Sequence, residues 1–297
     1  MKKKILLIAI IMMFLVAALF TGCGGSSSKT IVVGAKDYTE QDILGNMLTI
    51  LLQENTDYNI EYKHEMSSNV LFAALQSGDV DLCIDYTGTL YSNYLNYSDI
   101  KGADEVYDIS VKDMSEKYKL DVLKPLGFNN TYCLAVRPET AQQYNLKTFS
   151  DLAKVSSDMV FGGGFEILNR NDGIPKLKER YNMSFKEELA VEGVLRYSAI
   201  ENNETQITEA FSTDGMLLQY NLVVLEDDLN FFPPYHAVPL IRQDTAKQFP
   251  EVVEELDKLA GVLNDDKMRE LNYQVDVEKK NPHDVAAAFL KSADLIK

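Results

Sequence analysis

Short apolar runs typical of strands alternate with segments of helical periodicity from residue 30 onward, and this alternation limits the fold more than any other feature. Residues 30–35 (TIVVGA) suit a buried strand, and residues 43–52 then keep the spacing of an amphipathic helix. Residues 80–86 alternate apolar side chains with Asp81, Cys83 and Asp85, as a strand does. The pattern predicts an α/β protein rather than separate all-α or all-β blocks.

A weak internal repeat favours two copies of the α/β unit. Residues 74–88 and 199–215 both have the pattern of a helix end, a turn, a strand and a polar loop. Four pairs of similar residues share an offset of 125 positions: Ala74/Ala199, Leu75/Ile200, Leu82/Ile207 and Tyr86/Phe211. Open α/β sheets bind ligands at the carboxyl ends of their strands. The repeat therefore favours two lobes with a ligand cleft between them.

The first 29 residues have the composition of a targeting segment and a tether. Three lysines precede an apolar run over residues 5–20, which is shorter than the roughly 20 residues of a membrane span. Small residues precede Cys23, and a Gly/Ser stretch follows it. This order resembles the bacterial lipoprotein signal and implies a signal peptide over residues 1–22, lipidation at Cys23 and a tether over residues 23–29. An uncleaved anchor is the alternative, and either form holds the domain outside the cytoplasmic membrane.

Composition and motifs argue against several classes of function. The chain has 29 basic and 45 acidic residues, a net charge of −16, and such a surface repels the phosphate backbone of nucleic acids. Three histidines and three cysteines lack the spacing of a metal site, and no nucleophile is accompanied by its base. We therefore predict no metal, no cofactor, no nucleic-acid partner and no catalytic residue. Cys83 and Cys133 lie in apolar runs, where buried thiols are expected, although their spacing leaves a disulfide open.

Sixteen tyrosines are the unusual part of the composition. Most fit the ordinary role of a half-buried core residue. Tyr86, Tyr132, Phe211 and Tyr235 differ because they lie at predicted strand ends or at crossings between the lobes. Ring faces that converge in a cleft attract a cation, each by about 0.5–2 kcal/mol depending on desolvation. We expect uncharged aromatic walls supplied by both lobes around a quaternary ammonium group, because Lys or Arg side chains there would repel it.

Five motifs occur in an order that resembles a known family of transport proteins. They are residues 36–41 (KDYTEQ), 86–89 (YTGT), 128–132 (FNNTY), 211–215 (FSTDG) and 232–235 (FPPY). Together they are similar to the substrate-binding lipoproteins of ABC transporters for glycine betaine, carnitine and choline, over roughly residues 30–297. The resemblance implies a type II periplasmic-binding-protein fold, with two α/β lobes, a central ligand cleft and two crossover strands.

The same resemblance implies the domain limits and the partners. Residues 30–131 and 237–297 would form lobe 1, and residues 132–236 would form lobe 2. The implied partners are a small quaternary amine, an ABC permease with its ATPase, and the membrane through a lipid anchor at Cys23. The expected protein is a monomer on the outer face of the bacterial cell membrane. It would capture and deliver its ligand without chemistry.

The resemblance also implies the residues of the ligand site. Tyr86, Tyr132 and Tyr235 match cage tyrosines of the family, whereas Phe211 stands where a tyrosine is usual. Phenylalanine at this position retains the ring face of tyrosine but lacks its hydroxyl, which is a hydrogen-bond donor. Further candidates match polar pocket positions or lie beside the cage: Gln41, Thr89, Asn130, Tyr197, Thr213 and Asp214. For Tyr197, packing in the core is an equal alternative. For Asn130, Thr213 and Asp214, the alternative role is helix capping.

Three other functions stay open at this point. A related binding protein would take a larger betaine, such as ergothioneine, or a bile-type amphiphile, and the departure at Phe211 keeps this alternative open. An osmosensory binding module would dock a receptor instead of a permease. An extracytoplasmic enzyme would need a nucleophile and a base that the motifs do not supply.

Overall fold

The computed structural model describes residues 30–99, 101–169 and 173–297. The predicted signal peptide, Cys23 and the tether lie outside the described residues. The strands are β1 Thr30–Lys36, β2 Asn59–Met66, β3 Leu82–Tyr86, β4 Leu120–Val122, β5 Tyr132–Val136, β6 Val160–Gly163, β7 Glu187–Ala190, β8 Ile207–Phe211, β9 Val223–Leu225 and β10 Ala237–Arg242.

Helices alternate with these strands, as the sequence pattern predicts. They are α1 Thr39–Asn55, α2 Ser68–Ser77, α3 Ala103–Tyr118, α4 Pro138–Tyr144, α5 Phe149–Ala153, α6 Phe165–Asn169, α7 Ile174–Tyr181, α8 Leu195–Glu201, α9 Met216–Gln219, α10 Gln243–Gln248, α11 Pro250–Asp257, α12 Asp265–Asp276 and α13 Pro282–Ser292. A short π-helix, Thr89–Tyr94, follows β3. No helix in the described ranges is long and apolar enough to cross a membrane.

The first sheet has the strand order β2-β1-β3-β10-β4. Strands β1 and β3 are parallel, whereas β10 runs antiparallel to both of its neighbours. Apolar side chains of β1 and β3 share one core with α1 and with the C-terminal helices α11, α12 and α13. The helix predicted over residues 43–52 is confirmed within α1, but every residue from Ile43 to Leu52 is buried, so this stretch is a core helix rather than an amphipathic one.

The second sheet repeats this arrangement with the order β7-β6-β8-β5-β9. Strand β8, like β3, lies at the centre with a parallel neighbour on one side and an antiparallel neighbour on the other. The 125-residue repeat coincides with α2–β3 in the first sheet and α8–β8 in the second. The predicted duplication of an α/β unit is confirmed.

Two extended segments carry the chain between the sheets. Residues 123–131 lead from β4 to β5, and residues 226–236 return the chain from β9 to β10. The segments lie side by side, because the Asn130 N–H donates to the Tyr235 carbonyl oxygen at 3.0 Å. The Asn129 side chain in turn accepts from the Tyr235 N–H at 2.7 Å. The predicted architecture of two lobes with two crossings is confirmed, and the residue limits of the lobes stay a prediction.

Both cysteines of the described chain lie in the central strands or next to them. Cys83 on β3 and Cys133 on β5 are buried and free. The two cysteines belong to different sheets and do not form a disulfide. The prediction of two buried free thiols is confirmed. Burial raises the pKa of both thiols, which keeps them protonated and unreactive.

Candidate ligand site

Aromatic side chains surround a cavity of about 530 Å³ where the central strands end. Strand β3 ends at Tyr86, and β8 ends at Phe211, which pairs with Tyr132 at the start of β5. The ring centroids of Tyr132 and Phe211 are 4.7 Å apart. Tyr235 lies two residues before β10. The structure brings these four predicted rings, from both sheets, to one cavity wall.

Close packing behind the wall holds two of these rings in place. A Cβ atom on Gly88 would lie 2.7 Å from the Tyr235 ring, so that ring can approach the backbone only because residue 88 is glycine. The Phe232 ring packs on Tyr132, with centroids 5.7 Å apart. The Asp227 carboxylate accepts from the Phe232 N–H at 2.8 Å and anchors the loop that carries it.

A fifth ring, Tyr38, also lines the cavity. This residue precedes α1 and keeps 41% of its surface exposed, whereas its hydroxyl lies inside and hydrogen-bonds to Tyr86 and Gln41. Burial of that hydroxyl, followed by the nearby Glu40 carboxylate, raises the pKa of Tyr38. The hydroxyl therefore stays a neutral hydrogen-bonding group beside the rings.

Glu40, the second residue of α1, places a carboxylate on the cavity wall. One carboxylate oxygen accepts from the Tyr86 hydroxyl at 2.5 Å and from the Asn130 amide at 2.9 Å. The other accepts from the Asn272 amide at 3.0 Å. Burial raises the pKa of Glu40, and hydrogen bonds from Thr213 and from these three donors oppose the shift. Because all these partners donate hydrogen bonds to Glu40, they stabilise its ionised carboxylate form over the protonated acid.

Lys36 forms a second charged part of the wall. Its ammonium group contacts Asp85 at 2.6 Å, and both side chains are buried. The Tyr94 hydroxyl donates to Asp85 and to the Ser68 carbonyl oxygen, each at 3.0 Å, so these residues lie together. Ser68 and Thr89 also line the cavity. This region combines an ammonium group with hydroxyls, which suits the carboxylate or hydroxyl end of a ligand.

The expectation of uncharged walls is wrong. One ammonium group and three carboxylates line the cavity together with the rings: Lys36, Glu40, Asp214 and Asp276. Two of these charges have a partner of opposite sign: Lys36 has Asp85, and Asp214 has Arg196 at 3.8 Å. Glu40 and Asp276 accept hydrogen bonds from neutral donors, Asn272 and Thr39 among them.

Four polar candidates from the sequence line the cavity: Thr89, Asn130, Thr213 and Asp214. Thr89 begins the π-helix after β3, and Asn130 lies in the first crossing. Asp214 accepts a hydrogen bond from the Met216 N–H at 2.9 Å, where α9 begins. Asp214 therefore lines the cavity and also accepts from the backbone at the first residue of α9, whose N-cap residue is Gly215.

Gln41 and Tyr197 are not among the residues that line the cavity in the described chain. Gln41 is buried behind the wall, where its amide donates to the Tyr86 hydroxyl at 3.2 Å. Tyr197 is buried on α8, stacks on Tyr220 and donates its hydroxyl to Asp214. Both support a lining residue, so they act on the cavity through another side chain.

Seven lining residues were not among the predicted ones: Lys36, Tyr38, Thr39, Glu40, Ser68, Asn272 and Asp276. Four of them belong to the motif at residues 36–41, so the resemblance held a signal for them. Asn272 and Asp276 lie on α12 and bond to Glu40 and Thr39 across more than 200 residues. No local pattern marks such a pairing.

Comparison with known protein families decides the identity of the chain. The family OpuAC, the substrate binding domain of ABC-type glycine betaine transport systems, matches residues 29–292. The chain belongs to this family. Its members are substrate-binding components of transport systems rather than enzymes.

Individual relatives agree with this membership. The carnitine transport binding protein OpuCC of Listeria monocytogenes is 34% identical, over 98% of this chain and 97% of that protein. The ergothioneine transport permease/ergothioneine binding protein EgtU of Helicobacter pylori is 36% identical, over 90% of this chain and 48% of its own length. A crystal structure of a glycine betaine/carnitine/choline ABC transporter protein shares 31% identity, with a TM-score of 0.87 over 90% of this chain and 100% of that one. The predicted type II periplasmic-binding-protein fold is confirmed.

Proposed function

We propose that this OpuAC-family protein captures a quaternary ammonium compound in its aromatic cavity and delivers it to an ABC permease with its ATPase. One observation carries the proposal: Tyr86 of the first sheet and Tyr132 and Phe211 of the second line the same cavity of about 530 Å³. That volume suits a small molecule. Rings from both lobes make contacts with a ligand that improve when the lobes close, which is what a ligand needs to drive closure.

In this proposal the two ends of the ligand meet different chemistry. The trimethylammonium head lies among the rings of Tyr86, Tyr132, Phe211 and Tyr235, where each face contributes about 0.5–2 kcal/mol. A carboxylate or hydroxyl at the other end of the ligand meets Lys36 and its neighbouring hydroxyls. Phe211 keeps a ring face without a hydroxyl, so the second lobe holds the head mainly by ring contact.

Glycine betaine, choline and carnitine are the ligand class that we propose. The 34% identical relative named for carnitine transport supports it over nearly the whole chain. A larger betaine such as ergothioneine is the second candidate, because a 36% identical relative is named for it. All four compounds share the trimethylammonium head, so they differ only in what meets the Lys36 region.

Substrate-binding proteins of ABC importers work outside the cytoplasm, and family membership places this chain among them. We further propose that Cys23 carries the lipid anchor, that the protein is a monomer, and that the lobes divide at residues 131/132 and 236/237. The Gly/Ser tether after Cys23 supports the anchor, since it would let the domain stand off the membrane.

A thermal-shift panel of the four compounds tests the ligand class. A compound that binds only the folded protein raises its unfolding midpoint, and a concentration of 100 times Kd adds about 2.7 kcal/mol. The midpoint should rise with at least one of them and stay unchanged with a matched zwitterion that has no methylated nitrogen, such as glycine. A panel in which none of the four raises the midpoint would reject the proposal.

Titration calorimetry with two variants tests the role of the rings. Tyr132→Ala removes a ring face and should weaken binding about tenfold or more, whereas Tyr132→Phe should stay within a few-fold of the wild type. Tyr144→Ala, which removes a partly exposed tyrosine of α4 that does not line the cavity, is the control. Equal losses from both Tyr132 variants would mean that the ring face is not the main interaction.

A further inference from the structure

Glu40 differs from the other buried acids of the molecule. Four carboxylates are buried in the described ranges: Glu40, Asp85, Asp113 and Glu209. Three of them pair with a cation: Asp85 with Lys36 at 2.6 Å, Asp113 with Lys117 at 2.7 Å and Glu209 with Arg196 at 3.3 Å. Glu40 forms no ion pair with any residue of the described ranges, and its partners are neutral donors.

A buried charge without a counter-charge is unfavourable, because removing an ion from water costs several kcal/mol that pairing normally offsets. Neutral hydrogen bonds reduce this penalty for Glu40 but leave its net charge in place. The side chain is 3% exposed and lies on the wall of the cavity. The unpaired charge therefore faces a cavity in which a ligand can supply the opposite charge.

We propose that Glu40 is a specificity-determining residue whose carboxylate is the counter-charge of the quaternary ammonium head. This inference rests on the proposed function and adds to it. Rings and cavity volume alone would also accept a neutral tert-butyl group, which has the shape of trimethylammonium. With Glu40 in the wall, the cavity selects positive charge as well as shape.

The position of Glu40 relative to the rings supports this role. Its carboxylate bonds directly to the hydroxyl of the lining ring Tyr86 at 2.5 Å, so a cation on that ring lies close to the charge. Thr213, which follows β8 of the second sheet, also hydrogen-bonds to Glu40. The charge thus sits where elements of both sheets meet, and closure of the lobes would remove the water that screens it.

The same contacts give Glu40 a structural role, which a test has to separate from its charge. Loss of the network would disturb Tyr86 and weaken every ligand alike. Loss of the charge would weaken only ligands that carry a positive nitrogen. Pairs of ligands that differ only in this atom distinguish the two effects.

Calorimetry with two such pairs is the test. Choline is compared with its carbon isostere 3,3-dimethylbutan-1-ol, and glycine betaine with 3,3-dimethylbutanoate. The measured quantity is the ratio of affinities within each pair. For the pair whose amine the wild type binds, Glu40→Gln should lower the amine-to-isostere affinity ratio by about tenfold or more. This is the effect expected of one nearby charge at the effective dielectric of a protein. Asp113→Asn removes a buried acid that does not line the cavity and should keep the wild-type ratio.

Each outcome decides the inference. Glu40→Asp keeps the charge, so it should keep the ratio even where both affinities fall. If Glu40→Gln weakens amine and isostere equally, or if Glu40→Asp lowers the ratio as much as Glu40→Gln does, the residue is structural and the inference is overturned. An unchanged ratio in Glu40→Gln overturns it as well. A wild type that binds neither choline nor glycine betaine would reject the proposed function itself, which is a distinct result.

Discussion

Tyr86 joins two kinds of interaction on which the cavity depends. Its ring forms part of the wall, while its hydroxyl donates to Glu40 at 2.5 Å and accepts from Gln41 at 3.2 Å. Burial, followed by the Glu40 charge, raises the pKa of Tyr86, so the hydroxyl stays a donor. Hydrogen bonds to Glu40 in the wall and to Gln41 behind it therefore fix the orientation of the Tyr86 ring.

The affinity for a quaternary amine should fall on acidification. Burial raises the pKa of Glu40 and of Asp276, so both lining acids take up protons at higher pH than ordinary carboxyl groups. A bound cation stabilises the carboxylate forms, so binding should release protons when the pH is lowered from neutrality into the range where these acids begin to take up protons. Other charged groups nearby are Lys36 with Asp85, Asp214 with Arg196, and Lys279 close to Asp276.

Calorimetry in two buffers of different ionisation enthalpy counts these protons. Glu40→Gln should release fewer protons than the wild type and keep the share that belongs to Asp276. Proton uptake on binding would contradict the predicted sign.

Gly88→Ala should displace the Tyr235 ring and weaken ligand binding about tenfold, because the new Cβ would lie 2.7 Å from ring carbons and 2.8 Å from the Pro234 carbonyl oxygen. The backbone oxygen cannot move aside as a flexible side chain would. Gly102→Ala, which has open space around it, is the matched control. Wild-type affinity in Gly88→Ala would show that Tyr235 does not need this close approach.

Among the elements, helix α12 determines where the residues after β8 lie. Arg269 donates twice to the Ser212 carbonyl oxygen, at 3.0 and 2.7 Å, and Asn272 donates to the Thr213 carbonyl oxygen at 2.8 Å. Ser212 directly follows Phe211, so α12 holds the end of the strand that supplies this ring. Helix α12, whose core lies with the first sheet, is thus hydrogen-bonded to the residues that follow the central strand of the second sheet.

Arg269→Ala should weaken ligand binding by about tenfold, since a hydrogen bond to a charged group contributes about 1.5–3 kcal/mol. The loss acts through the position of Phe211 and Thr213 rather than through ligand contact, because Arg269 does not line the cavity in the described chain. Calorimetry measures the effect. Lys267→Ala on the same helix, where the side chain pairs with the exposed Glu270, should bind as the wild type does. Equal ligand affinities in Arg269→Ala and Lys267→Ala would show that the contacts of α12 with the end of β8 do not affect binding.

At the scale of the whole molecule, duplication explains why one cavity has rings from two sheets. Each central strand, β3 and β8, ends on an aromatic residue and has one parallel and one antiparallel neighbour. The two crossings are hydrogen-bonded to each other and carry Asn130 and Tyr235 into the wall. Two similar lobes that share a pair of crossings can close on a ligand without remaking either core.

The proposed membrane anchor gives a prediction at this scale. Cys23→Ser removes the thiol that a lipid would modify, so the protein should move from the membrane fraction to the soluble extracytoplasmic fraction. Fractionation with mass analysis of the N-terminal residue measures this. Ser27→Ala, a change in the tether, should stay with the membrane. Retention of Cys23→Ser at the membrane would favour the uncleaved anchor.

Local patterns were sufficient for the elements and for the rings. Alternation of apolar and polar residues predicted β3, helical spacing predicted α1, and the offset of 125 residues paired Tyr86 with Phe211. Tyr132 and Tyr235 followed from the motifs at the crossings. Periodicity depends on residues close in sequence, and the repeat and the motifs are visible in the order of the residues, so none of these features needs the tertiary structure.

The pairing of charges required the tertiary structure. In the sequence Glu40 is part of the motif at residues 36–41 but has no visible partner, Asn272 is an ordinary helix residue, and Tyr197 is equally compatible with the cage and with packing. Only packing decides that Asn272 bonds to Glu40 from 232 positions away, that Tyr197 is buried behind Asp214, and that Glu40 lies on the cavity wall without a cation. The sequence by itself determined the α/β units and the aromatic residues at their strand ends, because strand and helix periodicity are local. The tertiary structure decided which charges lie among those rings, because burial and ion pairing depend on distances between residues far apart in the chain.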